Sequence, residues 1–179
     1  LFSELAFSLA TETLLGIEAP ERAQWIRMLM CEMNRLSSHL LFQATNGMDL
    51  GAVSMMLYGW REREEVLRFL DMVSGLRMNH NYIRSGGVAA DLPDGWRYAA
   101  LRLLEHLPER VEEFDILLTE QPIWRERLQG VGVITPEEAI ALGTTGPILR
   151  STGFAWDLRR DLPYLRYDQV DFDVCVGTY

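Results

Sequence analysis

Pro20-Glu21-Arg22-Ala23-Gln24-Trp25-Ile26-Arg27-Met28-Leu29-Met30-Cys31-Glu32-Met33-Asn34-Arg35-Leu36 opens the longest helical pattern in this chain. Proline suits the first helical position, where its missing N–H costs nothing, and Glu21 favours the positive end of the helix dipole. Trp25, Met28, Leu29, Met33, Leu36 and Leu40 then recur at helical spacing. Glu32 and Arg35 stand three residues apart, close enough to pair on one face. The pattern predicts a helix running to about Asn46-Gly47, where glycine marks its end.

Upstream, Leu1 to Leu15 reads as a helix with Leu5, Leu9 and Thr13 on one face and Gly16 as its stop. Downstream, a third helix is expected over Val53 to Val73, with Trp60, Leu67, Leu70 and Val73 toward the core. Its charge run Arg61-Glu62-Arg63-Glu64-Glu65 reads mostly as a solvated face laced with i, i+4 pairs. Asn79 to Asp94 reads as a loop, with Gly86-Gly87 inside it and the turn Pro93-Asp94-Gly95 at its end. A fourth helix starts near Gly95-Trp96 and continues past Leu118 along a seam of Leu103, Leu107, Val111, Phe114 and Leu118, with Pro108 expected to kink or restart it.

The rest of the chain is less regular. A short helix is expected at Pro122 to Leu128. Thr135-Pro136-Glu137-Glu138 has the residues of a capping box, and Gly143 stops the helix it starts. Val170, Phe172, Val174 and Val176 alternate with Asp171, Asp173 and Cys175, which predicts a terminal strand with one buried face. The expected fold class is therefore mainly α: a bundle of long helices over residues 1–129, then a short helix, an irregular segment and a strand over 130–179.

Composition narrows the function classes. The chain has 179 residues, 48% apolar and 24% charged, the profile of a globular domain large enough for a real core. No run of 18 apolar residues occurs, so no transmembrane helix is expected. A net charge of −9 argues against nucleic acid and against docking by charge on an anionic membrane surface. The 17 basic residues are all arginine, which makes fork-shaped contacts to carboxylates. Cys31 and Cys175 form no CxxC motif, and His39, His80 and His106 are scattered, so no metal site is expected. Cys31, among Met28, Met30 and Met33, reads as a small core residue. Neither end carries a start methionine, a cap or a polar tail, and the chain reads as a piece of a longer one.

Two stretches could carry chemistry. In Thr45-Asn46-Gly47-Met48-Asp49-Leu50-Gly51-Ala52, persisting helix would put Thr45, Met48 and Asp49 on one face. Asp49 stands among Met48, Leu50, Met55, Met56 and Leu57. A carboxylate in apolar surroundings has a raised pKa, and methionine suits a wall that accepts a hydrophobic ring. The plainer alternative is that Asp49 caps the next helix. The second stretch, Arg77-Met78-Asn79-His80-Asn81-Tyr82-Ile83-Arg84-Ser85-Gly86-Gly87-Val88, is either an electropositive site with close backbone approach or an ordered connector tied down by arginine. It fits no phosphate-binding glycine pattern.

Several stretches together resemble one family. Glu21-Arg22-Ala23-Gln24-Trp25-Ile26-Arg27, Asn34-Arg35-Leu36-Ser37-Ser38-His39-Leu40-Leu41, Met48-Asp49-Leu50-Gly51-Ala52 and Arg61-Glu62-Arg63-Glu64 are similar to the D subunit of NADH-quinone oxidoreductase, respiratory complex I. So are Tyr82-Ile83-Arg84-Ser85-Gly86-Gly87-Val88-Ala89-Ala90-Asp91-Leu92-Pro93, Gly130-Val131-Gly132-Val133-Ile134, Thr145-Gly146-Pro147-Ile148-Leu149-Arg150, Trp156-Asp157-Leu158-Arg159 and Asp171-Phe172-Asp173-Val174. They run in order along essentially the whole chain.

The resemblance implies a helical bundle related to the large subunit of nickel-iron hydrogenases. It implies that the D and B subunits enclose a quinone head, with electrons arriving from a terminal [4Fe–4S] cluster held by the B subunit. By position, Asp49 resembles the family aspartate that partners a proton-donating histidine, and Thr45, Met48, Met56 and Leu57 resemble the quinone-binding wall. Arg77, Asn79, His80 and Arg84 fall near the partner's cluster, and Asn79 stands where many members have a histidine. The family's quinone-contacting histidine and tyrosine precede Leu1, so the isolated chain is expected to be inactive. The expected partners are complex I subunits B, C, H and I, with quinone as substrate and no cofactor bound by the chain itself. The expected location is peripheral, on the cytoplasmic side of the bacterial inner membrane. Two other classes fit a helical chain of this kind: a membrane-linked nickel-iron hydrogenase large subunit, and a non-catalytic assembly scaffold.

Overall fold

The protein is described by a computed structural model that covers residues 1–177. The chain divides into two compact units, Leu1–Glu126 and Arg127–Tyr179. The first is built on long helices: α1 (Phe2–Leu15), α2 (Glu21–Asp49), α3 (Met55–Ser74) and α4 (Trp96–Phe114). A small antiparallel ribbon, β1 (Ile83–Arg84) and β2 (Gly87–Val88), sits between α3 and α4 in the chain, with Ile83 opposite Val88. The mainly α expectation holds.

Helix α2 is the spine. It starts after Pro20, as proline at a helix start predicts, and the Glu32–Arg35 pair forms at 3.0 Å. Its buried residues are Ala23, Gln24, Ile26, Arg27, Met28, Met30, Cys31, Met33, Ser37, Leu40, Ala44 and Gly47. Trp25, expected in the core, is exposed, and Leu29 and Leu36 are half-buried. Met28, Met33 and Leu40 are buried as expected, and the stripe also takes in Arg27, which has buried polar partners. Cys31 is fully buried, and desolvation raises its thiol pKa to about 11. Helix α1 is ended by Gly16 in the left-handed conformation at φ 64°. Its buried face is Leu5, Ser8 and Glu12, not Leu5, Leu9 and Thr13.

The α2–α3 hairpin sets the geometry of everything near Asp49. The expected stop at Gly47 is wrong: α2 continues to Asp49, and Gly47 is a packing residue. A Cβ there would lie 2.7 Å from Met55 Cβ. Further along the contact, a Cβ on Gly59 would lie 2.6 Å from Ala44 Cβ and 2.9 Å from the Leu40 carbonyl oxygen. The two backbones can approach this closely only because these sites carry no side chain. The bend at 50–54 is held by backbone bonds, Leu50 N to Asn46 O at 3.1 Å and Ala52 N to Gly47 O at 2.8 Å. The core then fills with Ile26, Met30, Met33 and Leu40 from α2, Met55, Val66, Leu67, Phe69, Leu70 and Val73 from α3, and Ala100, Phe114 and Leu118 further on.

Helix α4 runs through Pro108 without a break, contrary to the expected restart. A π-helical turn, Asp115–Thr119, continues it, which seats Phe114 and Leu118 in the core while Val111 is exposed. Helix α5 (Pro122–Leu128) lies where the sequence places it.

In the second unit, α6 (Pro136–Ala141) begins with a complete capping box: Glu138 N donates to Thr135 Oγ1 at 3.2 Å, and Thr135 N donates to Glu138 Oε2 at 2.8 Å. Short helices α7 (Gly146–Ser151) and α8 (Leu158–Asp161) follow in the segment expected to be irregular. Asp157 caps α8 and takes two bonds from the Arg159 side chain, which hold its carboxyl pKa down at about 2. The expected terminal strand does not form over 170–177. Its alternation survives as half-buried Phe172 and Val174 between exposed neighbours, but no second strand among the described residues pairs with it. Alternation specifies a strand only where a ladder partner exists.

The close helix approach yields a direct prediction. Gly59→Ala gains helix propensity of about 1 kcal/mol, yet forces its methyl into Ala44 and the Leu40 carbonyl. We expect a net loss of about 1–3 kcal/mol in denaturant unfolding, the usual cost of overpacking. A stabilised variant would show that the hairpin can open freely at this point.

Candidate functional site

The candidate residues form two groups at opposite ends of α3. Thr45, Met48, Asp49, Met56 and Leu57 surround the bend before it, and Arg77, Asn79, His80 and Arg84 follow it. The helix from Tyr58 to Ser74 lies between the groups, a separation of about 25 Å at 1.5 Å per residue. They do not share one pocket of this chain.

At the bend, helix persists through Asp49, so Thr45, Met48 and Asp49 do share a face of the last turn of α2. Thr45 Oγ1 is engaged with its own helix, donating to the Leu41 carbonyl at 2.9 Å. Asp49 is exposed and forms no ion pair among the described residues. It does not sit in the apolar enclosure expected for it, because α2 ends there and its carboxylate leaves the helix pair. It does not cap α3 either, whose N-cap residue is Ser54. Leu57 is 75% exposed and Met48 is 38% exposed, while Met56 is half-buried and accepts a bond from Trp60 Nε1 at 2.8 Å. The bend therefore presents an open apolar surface with a single carboxylate on it.

At the other end, the loop is an ordered connector, and arginine does tie it down. The arginine comes from α2. Arg27 is fully buried; its Nη1 and Nη2 donate to Glu12 Oε2 and Oε1 at 3.1 and 2.6 Å. Its Nε donates to the Gly87 carbonyl at 3.0 Å, and Nη2 also reaches the Arg84 carbonyl at 2.7 Å. Glu12 Oε1 in turn accepts from Gly86 N at 2.7 Å. Glu4 accepts the backbone N–H groups of Asn81, Tyr82 and Ile83 at 2.9 to 3.1 Å. One buried ion pair and one half-buried carboxylate thus fix α1, α2 and the Gly86-Gly87 turn relative to each other.

The loop side chains meet separate fates. Arg77 is exposed and bonds Glu64, with Nη1 on Oε1 at 3.0 Å and Nη2 on Oε2. Asn79 is exposed, with φ of 58°. Arg84 is exposed and its Nε donates to the Asn81 carbonyl at 3.2 Å. His80 is buried, and burial lowers its pKa below the ordinary 6.5. It lines a cavity of about 400 Å³ with Arg63, Asn34, Ser37 and others.

Three members of this arrangement were not anticipated: Glu12, Arg27 and Arg63. Each falls on the buried stripe of its helix by spacing. Arg63 follows Gly59 by four residues and precedes Val66 by three. A charged residue in phase with an apolar stripe was the signal. Among the described residues, no helix is long and apolar enough to cross a membrane, and no group of three or more His, Cys, Asp and Glu side chains is placed to hold a metal ion.

Residues 49–179 match the family described as respiratory-chain NADH dehydrogenase, 49 Kd subunit. Curated relatives cover nearly the whole chain. An NADH-quinone oxidoreductase D subunit of Salinispora arenicola is 53% identical over 99% of this chain and 41% of its own length. The D subunit of Acidothermus cellulolyticus is 53% identical over the same shares, and that of Mycolicibacterium smegmatis is 53% identical over 97% of this chain and 40% of its own length. The chain thus spans about two fifths of the relatives it matches.

The Glu12–Arg27 pair gives a prediction with a definite sign. Hydrogen bonding to Arg27 holds the Glu12 carboxyl below its ordinary 4.5. A carboxyl depressed in the folded state stabilises above its unfolded pKa, and that contribution fades as pH falls through the folded value. Arg27→Met, which leaves Glu12 charged and buried, should cost about 3–5 kcal/mol at pH 7. Glu12→Gln should also destabilise and should flatten the loss of stability as pH falls from the ordinary carboxylate value of 4.5 toward the depressed value of the folded state. Denaturant midpoints that fall equally with acid in Glu12→Gln and wild type would remove Glu12 from the acid response.

Proposed function

The chain belongs to the family of the 49 kDa subunit of respiratory-chain NADH dehydrogenase, and from that membership we propose that it is the part of the D subunit that forms one wall of the quinone pocket. The observation that carries the reading is the open apolar surface at the α2–α3 bend, with Asp49 as its single carboxylate. Leu57, Met48 and Met56 offer soft, adaptable contact to a hydrophobic ring or tail. A neighbouring subunit closes the pocket over this surface, which accounts for side chains of this kind facing water in the chain alone.

Quinone reduction consumes two electrons and two protons. The [4Fe–4S] cluster of the B subunit supplies the electrons. Asp49 keeps or orients charge beside the reacting head group as protons are delivered, and its change of ionisation is the start of coupling to the membrane part of the complex. Closure by the neighbouring subunit takes water away from this carboxylate, and a carboxylate deprived of water accepts a proton more readily. The loop after α3 offers Arg77, Asn79 and Arg84 to the B subunit, with His80 buried behind them, at a distance from the quinone wall. Reductase activity belongs to the assembly with subunits B, C, H and I, at the cytoplasmic face of the membrane, and not to this segment alone. The family match sets the hydrogenase reading aside.

The test is Asp49→Asn in the assembled complex. Quinone reduction should fall by about 10²-fold or more, the usual weight of a positioned acid–base group. Electron transfer from NADH to an artificial acceptor upstream of the quinone should be unchanged. Wild-type quinone turnover in the variant would take Asp49 out of the mechanism.

A further inference from the structure

Arg63 stands on the buried side of α3, only 8% exposed. Its Nε and Nη1 meet no acceptor among the described residues, and Nη2 lies 3.8 Å from the Met78 sulfur. The Trp60 ring covers the guanidinium at 4.7 Å. Beside it His80, 7% exposed, has an Nε2 with no partner among the described residues. Both line the same cavity of about 400 Å³, together with Asn34 and Ser37 of α2.

The nearby carboxylates are committed elsewhere. Glu64 bonds Arg77 and Arg68. Glu4 bonds three backbone N–H groups. Glu62 pairs with Arg61 and Arg110. Burial and the like charge of Arg77 both weigh against the charged form of Arg63. A buried guanidinium with unused donors is costly, and in folded proteins such groups are paired.

We propose that this cavity is a carboxylate seat, in which Arg63 donates from Nε and a terminal nitrogen to one carboxylate that comes from outside the described chain. The planar fork of a guanidinium matches a carboxylate with two parallel N–H···O bonds. A single monoanion neutralises the one unpaired charge, while Ser37 and Asn34 have the polar groups to complete its hydrogen bonding. The carboxylate comes from either of two sources: a small carboxylate in solution, or an acidic side chain elsewhere in the assembly, outside residues 1–179. The second source rests on the reading of this chain as part of a larger assembly; the first does not.

The experiment has two arms. In the first, sodium formate is titrated into the wild-type chain at constant ionic strength while the Arg63 Nε–H resonance is followed. A saturable shift, absent from Arg63→Lys, assigns a solution carboxylate. The second arm uses the absence of lysine from the sequence. In the assembled complex, Arg63→Lys introduces the only lysine amine of this chain, and a carbodiimide joins it to a carboxylate in contact with it. An amide link to an Asp or Glu outside residues 1–179 assigns a protein side chain of the assembly. A link to this chain's own Glu4 or Glu64 overturns the proposal, and so does the combination of no saturable shift and no link. The formate arm stands even if Asp49→Asn leaves quinone turnover intact, so the two readings fail separately.

Discussion

The ion pair between Arg27 and Glu12 is the constraint on which the first unit depends. Both groups are buried, one on α2 and one on α1, and their remaining hydrogen-bonding capacity is spent on the Gly86-Gly87 turn. A buried ion pair of this kind stabilises little compared with a well-packed apolar pair, but breaking it is severe. Its effect is geometric. It fixes where the loop after α3 leaves the bundle, and hence which of that loop's side chains face outward. Arg77, Asn79 and Arg84 are exposed because the backbone between them is held from beneath by Arg27, Glu12 and Glu4. His80 is turned inward, toward Arg63, and Tyr82 and Ile83 are buried as well.

A second constraint acts at the far end of α3. Gly47 and Gly59 let two helices touch at backbone distance, and the bend between them is closed by its own hydrogen bonds. Core methionines on either side, Met33 and Met55, fill the irregular space that such a close crossing leaves. The exposed Asp49, Met48 and Leu57 thus ride on a rigid support, which suits a binding wall better than a mobile loop does. Stability and candidate function are separable here: the groups that hold the unit together are inside, and the groups offered to a partner or substrate are outside.

Much of this was legible in the sequence, for identifiable reasons. Helix starts with a local chemical signal, Pro20 and the Thr135 box, were placed closely, as were the Gly16 stop and α5. The failures arise where packing against a neighbour, and not residue type, decides the role. Gly47 looks like a stop until Met55 is seen against it. Arg63 looks like part of a solvated run until its phase with Val66 and Leu70 is weighed against its charge. The Val170 to Val176 alternation is a strand pattern without a strand to pair with among the described residues. Residue type and order single out the candidate residues, but the exposure of Asp49, Met48 and Leu57 follows from where α2 ends, which the spacing does not show.

The central claim is that the α2–α3 bend is a quinone wall. The most direct measurement is photoaffinity labelling of the assembled complex with a quinone analogue carrying its reactive group on the head, followed by peptide mapping. The account predicts competed labelling within residues 45–57 of this chain. Labelling that is competed by quinone yet maps wholly outside that segment would contradict it.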